Sequence, residues 1–435
     1  MTPFFNDLLG FWSEWVHPSA GLPTIVWSLL LAAAAATGHL LQRYTGMPKL
    51  VGYTLVGTVV GFAGFEGAVW PLQGTGLFLL ELGVAMVLFE TGGRLPLRWF
   101  RHNPMVLVQS LLESTLTYFA VYWVLRWMSV AEGVAVPLAL MSLLASPAVL
   151  SRVTIDTRAS GPVTERALAL STLNTFYALS LSHAHTSMVA AGTAPMGLLA
   201  RLYPVGVVLG LSFVVGALMA LALRSALRVM SPTSENTSIL LLAIIGAGAA
   251  TAAYLGASAP LSALIGGVLL KQLNPKPWVW PRQLGTAASL ITMLMFVLVS
   301  SVAAQAQWSV PVAGLVLALI GVRLLAKVTG VAVANPGSGA SWAQALWLGL
   351  AMSPLSAVAL LIVSAFARAS PMVGGMVAQI GLPAILLMEV LGAVLATVAI
   401  HAAGESSQRW LPDLIARRAR GSGNAGGAGN GETTR

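Results

Sequence analysis

Six ionisable side chains fall inside long apolar stretches of this chain: Glu81, Glu90, Glu113, Glu389, Arg323 and Lys327. A charged group inside a hydrocarbon layer is costly, so such residues mark ion or proton pathways by default. Arg323 and Lys327 are four residues apart, which on a helix puts them on one face. Two further features sit in apolar surroundings: Ser146-Pro147 and Ser353-Pro354. Proline deletes a helical hydrogen bond and clashes with the preceding turn. Carbonyls freed in this way, with half-helix ends, can coordinate a cation near the membrane midplane. Each residue also has a plainer account. Glu90 stands close to a basic loop and suits an interface. Glu81 and Glu389 suit structural roles. Lys327 could snorkel to the cytoplasmic surface. His183 and His185 form an H-x-H, too few ligands for a metal site, so no metal is expected.

The elements that carry these groups follow from composition. Hydrophobic residues make up 57% of the 435 residues and charged residues 9%. An ordinary soluble domain is roughly 25% charged, so this chain cannot cover a soluble surface. Its apolar runs are continuous rather than alternating, which selects helices over a barrel. The expectation is an all-α polytopic membrane protein. There is no cysteine, which excludes disulfides, thiolate metal sites and cysteine nucleophiles. No nucleotide-binding, metalloprotease or nucleophile-elbow motif is present, so no catalytic residue and no cofactor are expected. The first residues, MTPFFNDLLGFW, lack the pattern of a signal peptide.

Thirteen spans are read at 23–42, 48–65, 74–92, 104–125, 133–152, 165–189, 203–223, 236–255, 258–273, 284–305, 309–330, 341–366 and 377–402. A span needs about 20 mostly apolar residues. Thirteen basic residues fall in the five loops of one face, from Arg43 to Arg282; the other face has Arg126, Arg201 and Arg368. The positive-inside rule then sets the N-terminus outside and the C-terminus in the cytoplasm. The net charge of +9 is thus a membrane signal, not one for nucleic acid. Trp123, Trp127, Trp278 and Trp280 read as an interfacial belt. Residues 1–403 form the membrane domain, and 404–435 a disordered cytoplasmic tail rich in Gly and Arg. The G-x-G-x-x-G at Gly421, Gly423 and Gly426 has neither a strand before it nor a helix after it, so it is no nucleotide site.

The two Ser-Pro breaks, in spans 5 and 12, belong to a repeat. Leu55-Val56-Gly57 in span 2 and Leu264-Ile265-Gly266 in span 9 recur at nearly the same offset as the two prolines. Spans 2–6 and 9–13 therefore read as two repeats. Equivalent helices are separated by an odd number of spans, so the repeats are inverted. Inverted repeats with a broken helix in each are a pointer to a secondary-transporter site.

Several stretches carry a resemblance. They are Tyr44-Thr45-Gly46-Met47-Pro48-Lys49-Leu50-Val51-Gly52-Tyr53, Leu82-Gly83-Val84-Ala85-Met86-Val87-Leu88-Phe89-Glu90-Thr91-Gly92, Ser146-Pro147-Ala148-Val149 with Gly161-Pro162-Val163-Thr164-Glu165-Arg166, Arg323-Leu324-Leu325-Ala326-Lys327, and Leu348-Gly349-Leu350-Ala351-Met352-Ser353-Pro354. In this order the chain resembles the monovalent cation:proton antiporter superfamily, in particular bacterial sodium/hydrogen exchanger-like proteins, from about 23 to 402. The resemblance implies an inner-membrane homodimer. It implies a core of spans 4–6 and 11–13 moving like an elevator against a dimerisation domain of spans 1–3 and 8–10.

The resemblance also implies a site aspartate in span 6. Here Asn174 matches the residue before it, and Thr175 stands in its place. Threonine offers an oxygen but does not titrate. The three aspartates, Asp7, Asp156 and Asp413, lie outside the spans as read. The expected ion site is therefore Asn174, Thr175, Ser146 and Ser353, with Pro147 and Pro354 as helix breaks. Arg323 and Lys327 supply positive charge, with Glu113 or Glu389 as the carboxylate partner. Exchange of Na⁺ or K⁺ for protons is the leading expectation. Uncoupled cation transport, anion transport and a non-transporting regulator are the alternatives.

Overall fold

The computed structural model describes residues 22–65, 70–95, 97–192, 198–230, 234–274, 282–355 and 357–407. The N-terminal segment, Trp278, Trp280 and the glycine motif of the tail lie outside the described residues. Among the described residues every regular element is an α-helix. In chain order these are α1 (Leu22–Thr45), α2 (Lys49–Phe62), α3 (Gly74–Arg94), α4 (Leu97–His102), α5 (Pro104–Trp127), α6 (Glu132–Ser142), α7 (Pro147–Thr157), α8 (Pro162–Ala190), α9 (Leu198–Val229), α10 (Glu235–Tyr254), α11 (Ala259–Leu273), α12 (Arg282–Ala304), α13 (Val310–Val333), α14 (Trp342–Ala351), α15 (Ala357–Ala369) and α16 (Pro371–Ala402).

Among the described residues, eight apolar stretches are long enough to cross a hydrocarbon layer, and four shorter apolar helices accompany them. Large apolar side chains such as Trp123, Trp127 and Leu325 are exposed on the outside of the bundle, as lipid-facing residues must be. α8 is 29 residues long but carries Ser171, Thr172, Asn174 and Thr175 in its middle. All four are buried. A helix this polar satisfies its side chains against other helices, not against lipid.

The two Ser-Pro sequences stop a helix and start another. α6 ends at Ser142 and α7 begins at Pro147, with Pro147 in the first turn where its missing N–H costs nothing. Ser146 caps α7 by accepting a hydrogen bond from Val149 N at 3.1 Å. α14 ends at Ala351, residues 353–355 are non-helical, and α15 begins at Ala357. α14 starts in a capping box between Ser341 and Gln344, which satisfies orphan donors on both sides.

Helices in matching places of the two repeats make matching contacts. α2 packs on α12, and α11 packs on α3; α5 packs on α13. Gly57 lies against Val297 and Ser300 of α12, and Gly266 against Gly216 and Met219 of α9. Two close approaches matter for the site. A Cβ at Gly330 of α13 would stand 2.6 Å from Glu113 Cα, and one at Gly392 of α16 would stand 2.5 Å from Pro354 Cα. Only glycine allows backbones to meet this closely.

Three boundaries differ from the sequence reading. α7 runs on to Thr157, so Asp156 sits in its last turn and not in a loop. There its Oδ2 accepts the Lys49 N–H at 2.9 Å, at the start of α2. α16 begins at Pro371, earlier than the last span was read. Residues 404–407 of the expected tail are docked: Glu405 accepts the N–H groups of Val163 and Thr164, each at 2.7 Å, at the start of α8. The helix supplies orphan donors at that end, and the carboxylate takes them.

Candidate functional site

The two interruptions meet in the interior. Ser146 N donates to Pro354 O at 2.9 Å. A broken helix leaves carbonyls without intrahelical donors, and Arg323 takes them. Its guanidinium donates to Ser142 O (3.1 Å), Ser353 O (2.5 Å), Pro354 O (3.4 Å) and Leu144 O. The planar fork of five N–H donors suits this task. Arg323 thus ties the two breaks together and uses its donors on backbone, not on a carboxylate.

One turn away on α13, Lys327 reaches Glu113 of α5, with Nζ and Oε1 2.7 Å apart and both side chains fully buried. Nζ also donates to Leu143 O in the first break at 3.1 Å. Glu113 Oε1 accepts from Thr117 Oγ1 at 3.1 Å. Oε2 accepts from Asn174 Nδ2 at 2.6 Å. Asn174 Oδ1 in turn accepts from Ser114 Oγ (2.9 Å) and Ser110 Oγ (3.3 Å). Thr175 Oγ1 lies 2.9 Å from Ser171 O and 3.2 Å from Ala145 O, so its hydroxyl bridges α8 to the first break. Ser353 Oγ donates to Gly392 O at 3.3 Å.

Of the residues singled out in the sequence, Glu113, Lys327 and Asn174 form one connected cluster, with Thr175, Ser146 and Arg323 along the first break. Ser353 is at the second. Glu389 is fully buried but is not joined to Arg323 or Lys327. Neither of its carboxyl oxygens has a hydrogen-bond partner. Glu90 pairs with Arg94 at 2.5 Å in a partly exposed position. His183 Nε2 lies 3.0 Å from Gly256 O, and His185 packs on Phe366. No group of three metal-ligating side chains occurs among the described residues.

The sequence reading did not pick out Ser110, Ser114 and Thr117. With Glu113 they recur at positions 110, 113, 114 and 117, a polar stripe on one face of an otherwise apolar helix. That periodicity was available from sequence as a signal of a buried polar face.

Two cavities flank this cluster along α8. One of about 400 Å³ is lined by Glu81, Leu179, His183, Ser258 and Arg368. The other, of about 240 Å³, is lined by Thr91, Arg94, Ser151, Glu165 and Thr172. Asn174 and Thr175 lie between Thr172 and Leu179, and so between the two cavities along the helix.

The family model described as sodium/hydrogen exchanger, transmembrane, matches residues 28–404. The chain belongs to the sodium/hydrogen exchanger family. It is a multi-pass membrane protein of the cation:proton antiporter class, a secondary transporter and not an enzyme. The solved sodium proton antiporter MjNhaP1 from Methanocaldococcus jannaschii at pH 8 shares its fold, with a TM-score of 0.64 at 15% identity over 87% of this chain and 98% of that one. A second structure of the same antiporter, from electron microscopy, gives a TM-score of 0.56 at 16% identity over 94% and 100% of the two chains. No curated protein matches the exchanger.

Proposed function

We propose that this exchanger moves Na⁺ or K⁺ against protons, with Glu113 and Lys327 doing the work of the family's absent span-6 aspartate. The observation that carries this reading is Glu113 held between Lys327 Nζ at 2.7 Å and Asn174 Nδ2 at 2.6 Å, fully buried beside the first break. An entering cation competes with Lys327 for the carboxylate. Oxygens of Asn174, Thr175, Ser146 and Ser353 complete its shell. Lys327, released from Glu113 in a site of low dielectric, gives up its proton to water. At this pair the net charge is unchanged: the cation takes the place of the proton that Lys327 gives up. When the cation departs, Lys327 is protonated again and re-forms the pair.

Access alternates between the two cavities in an elevator-like motion. α5–α8 and α13–α16 form the moving core, and α1–α3 with α10–α12 form the dimerisation domain of a homodimer. The protein sits in the bacterial inner membrane with its N-terminus outside and its C-terminus in the cytoplasm. The anion alternative loses its motivation, because the Arg323 donors are engaged by break carbonyls.

The test is reconstitution in liposomes with an internal pH reporter and external Na⁺, K⁺ or Li⁺. Wild type should move protons on cation addition, and Glu113→Gln should not. A silent wild type, or full exchange in Glu113→Gln, defeats this assignment.

A further inference from the structure

Glu389 of α16 is, with Glu113, one of two fully buried carboxyls among the described residues, and its surroundings are the opposite of those of Glu113. Glu113 has three side-chain partners. Glu389 has none: both oxygens are buried without a hydrogen-bond partner. α16 packs against α2, α6, α7, α12, α13, α14 and α15. None of the charged groups described on those helices hydrogen-bonds Glu389. On α13, Arg323 holds break carbonyls and Lys327 holds Glu113. On α7, Arg152 donates to Ser289 and Asp156 accepts from Lys49 N, at the start of α2. Arg368 of α15 lines the larger cavity, Glu132 starts α6, and α14 carries no charge. His401, on α16 itself, faces the Thr397 carbonyl three turns away.

An isolated ionised carboxylate in such a place costs several kcal/mol even after relaxation. Something must neutralise it, and the smallest neutralising ligand is a proton. Glu389 is also close to the working part of the exchanger. It stands three residues before Gly392 on α16, hence on a neighbouring position of the same helix face. Gly392 O accepts the Ser353 hydroxyl, and Gly392 packs on Pro354 of the second break. Any rearrangement of that break moves the wall on which Glu389 sits.

We infer that Glu389 is a second proton-binding site of the exchanger, occupied by a proton in the state described and emptied when a cation loads at the breaks. This deepens the exchange reading above and rests on it for the transport-linked step. The step is a proton dissociation: the Glu389 O–H bond breaks and its proton leaves to water in addition to the one from Lys327, so two protons leave per cation and the loaded core is one charge more negative than the empty one.

The experiment is infrared difference spectroscopy on the purified full-length exchanger in lipid, with and without Na⁺ or K⁺. Wild type should show the carbonyl stretch of a protonated carboxylic acid, and the band should fall on cation addition. The nearly isosteric Glu389→Gln should abolish the band; Glu113→Gln should leave it. Glu389→Met serves as a second variant should the amide fold poorly. In liposomes, the reversal potential should show one proton fewer per cation in Glu389→Gln than in wild type. A missing band, or one untouched by Glu389 substitution, overturns the proton site. A band that ignores cations, with an unchanged reversal potential, overturns its link to transport. The infrared arm needs no turnover, so a transport-silent wild type would count against the exchange reading and still leave the Glu389 proton decided.

Discussion

Glu113 and Lys327 are a buried ion pair, and a pair of this kind is weak support for stability. Desolvation cancels much of the attraction, while removing one partner leaves an uncompensated charge and costs about 3–5 kcal/mol. Lys327→Ala should therefore lower thermal stability clearly. The double variant Lys327→Met, Glu113→Leu should recover much of that stability yet remain without cation-driven proton flux. Stability without transport in the double variant, read by thermal unfolding and liposome assay, separates function from folding. If the double variant exchanged normally, the pair would have no part in transport. Thr175 acts at the same scale. Thr175→Val removes one hydroxyl bonded to Ser171 O and Ala145 O, worth about 1 kcal/mol. Folding should survive, and the cation concentration for half-maximal exchange should rise several-fold.

Between helices, the pair depends on how closely α13 approaches α5. Gly330 lies on Glu113 Cα, and a larger residue there must push the helices apart. Overpacking of this sort costs about 1–3 kcal/mol. Gly330→Val should lower the melting temperature and abolish exchange although it touches no charged atom. At the N-terminal end of α8, Glu405 accepts two backbone N–H groups and the Thr164 hydroxyl, all at 2.7 Å. Hydrogen bonds to a charged group contribute about 1.5–3 kcal/mol each at most. Glu405→Ala should loosen the start of the helix that bears Asn174, seen as faster amide hydrogen exchange over 163–167. Unchanged protection there would mean that other contacts hold this end.

For the molecule as a whole, two cavities on either side of Asn174 and Thr175 predict alternation. The chain has no cysteine, so pairs can be introduced cleanly. Glu81→Cys with His183→Cys bridges the larger cavity, and Thr91→Cys with Thr172→Cys the smaller. A flexible bis-maleimide should stop exchange in each double variant and leave each single variant active. Full exchange in a cross-linked double variant would rule out relative motion of α3 and α8.

Composition alone determined the class of this protein, because a chain with 9% charged residues has no soluble alternative. The paired Ser-Pro sequences marked the two breaks, since proline lacks the N–H and clashes with the turn before; proline alone does not decide it, because Pro137 and Pro383 lie inside α6 and α16. The members of the buried polar cluster, Glu113, Asn174 and Lys327, were legible as candidates as well. Their pairing was not. Lys327 and Glu113 are far apart in the chain, and local patterns carry no information on which of two glutamates faces a given base. The packing of α13 on α5 through Gly330 decided for Glu113, and left Glu389 alone. Nor did the sequence reveal that Arg323 serves carbonyls. That depends on the two breaks meeting in space, where their unbonded oxygens demand a donor and the guanidinium is the group within reach.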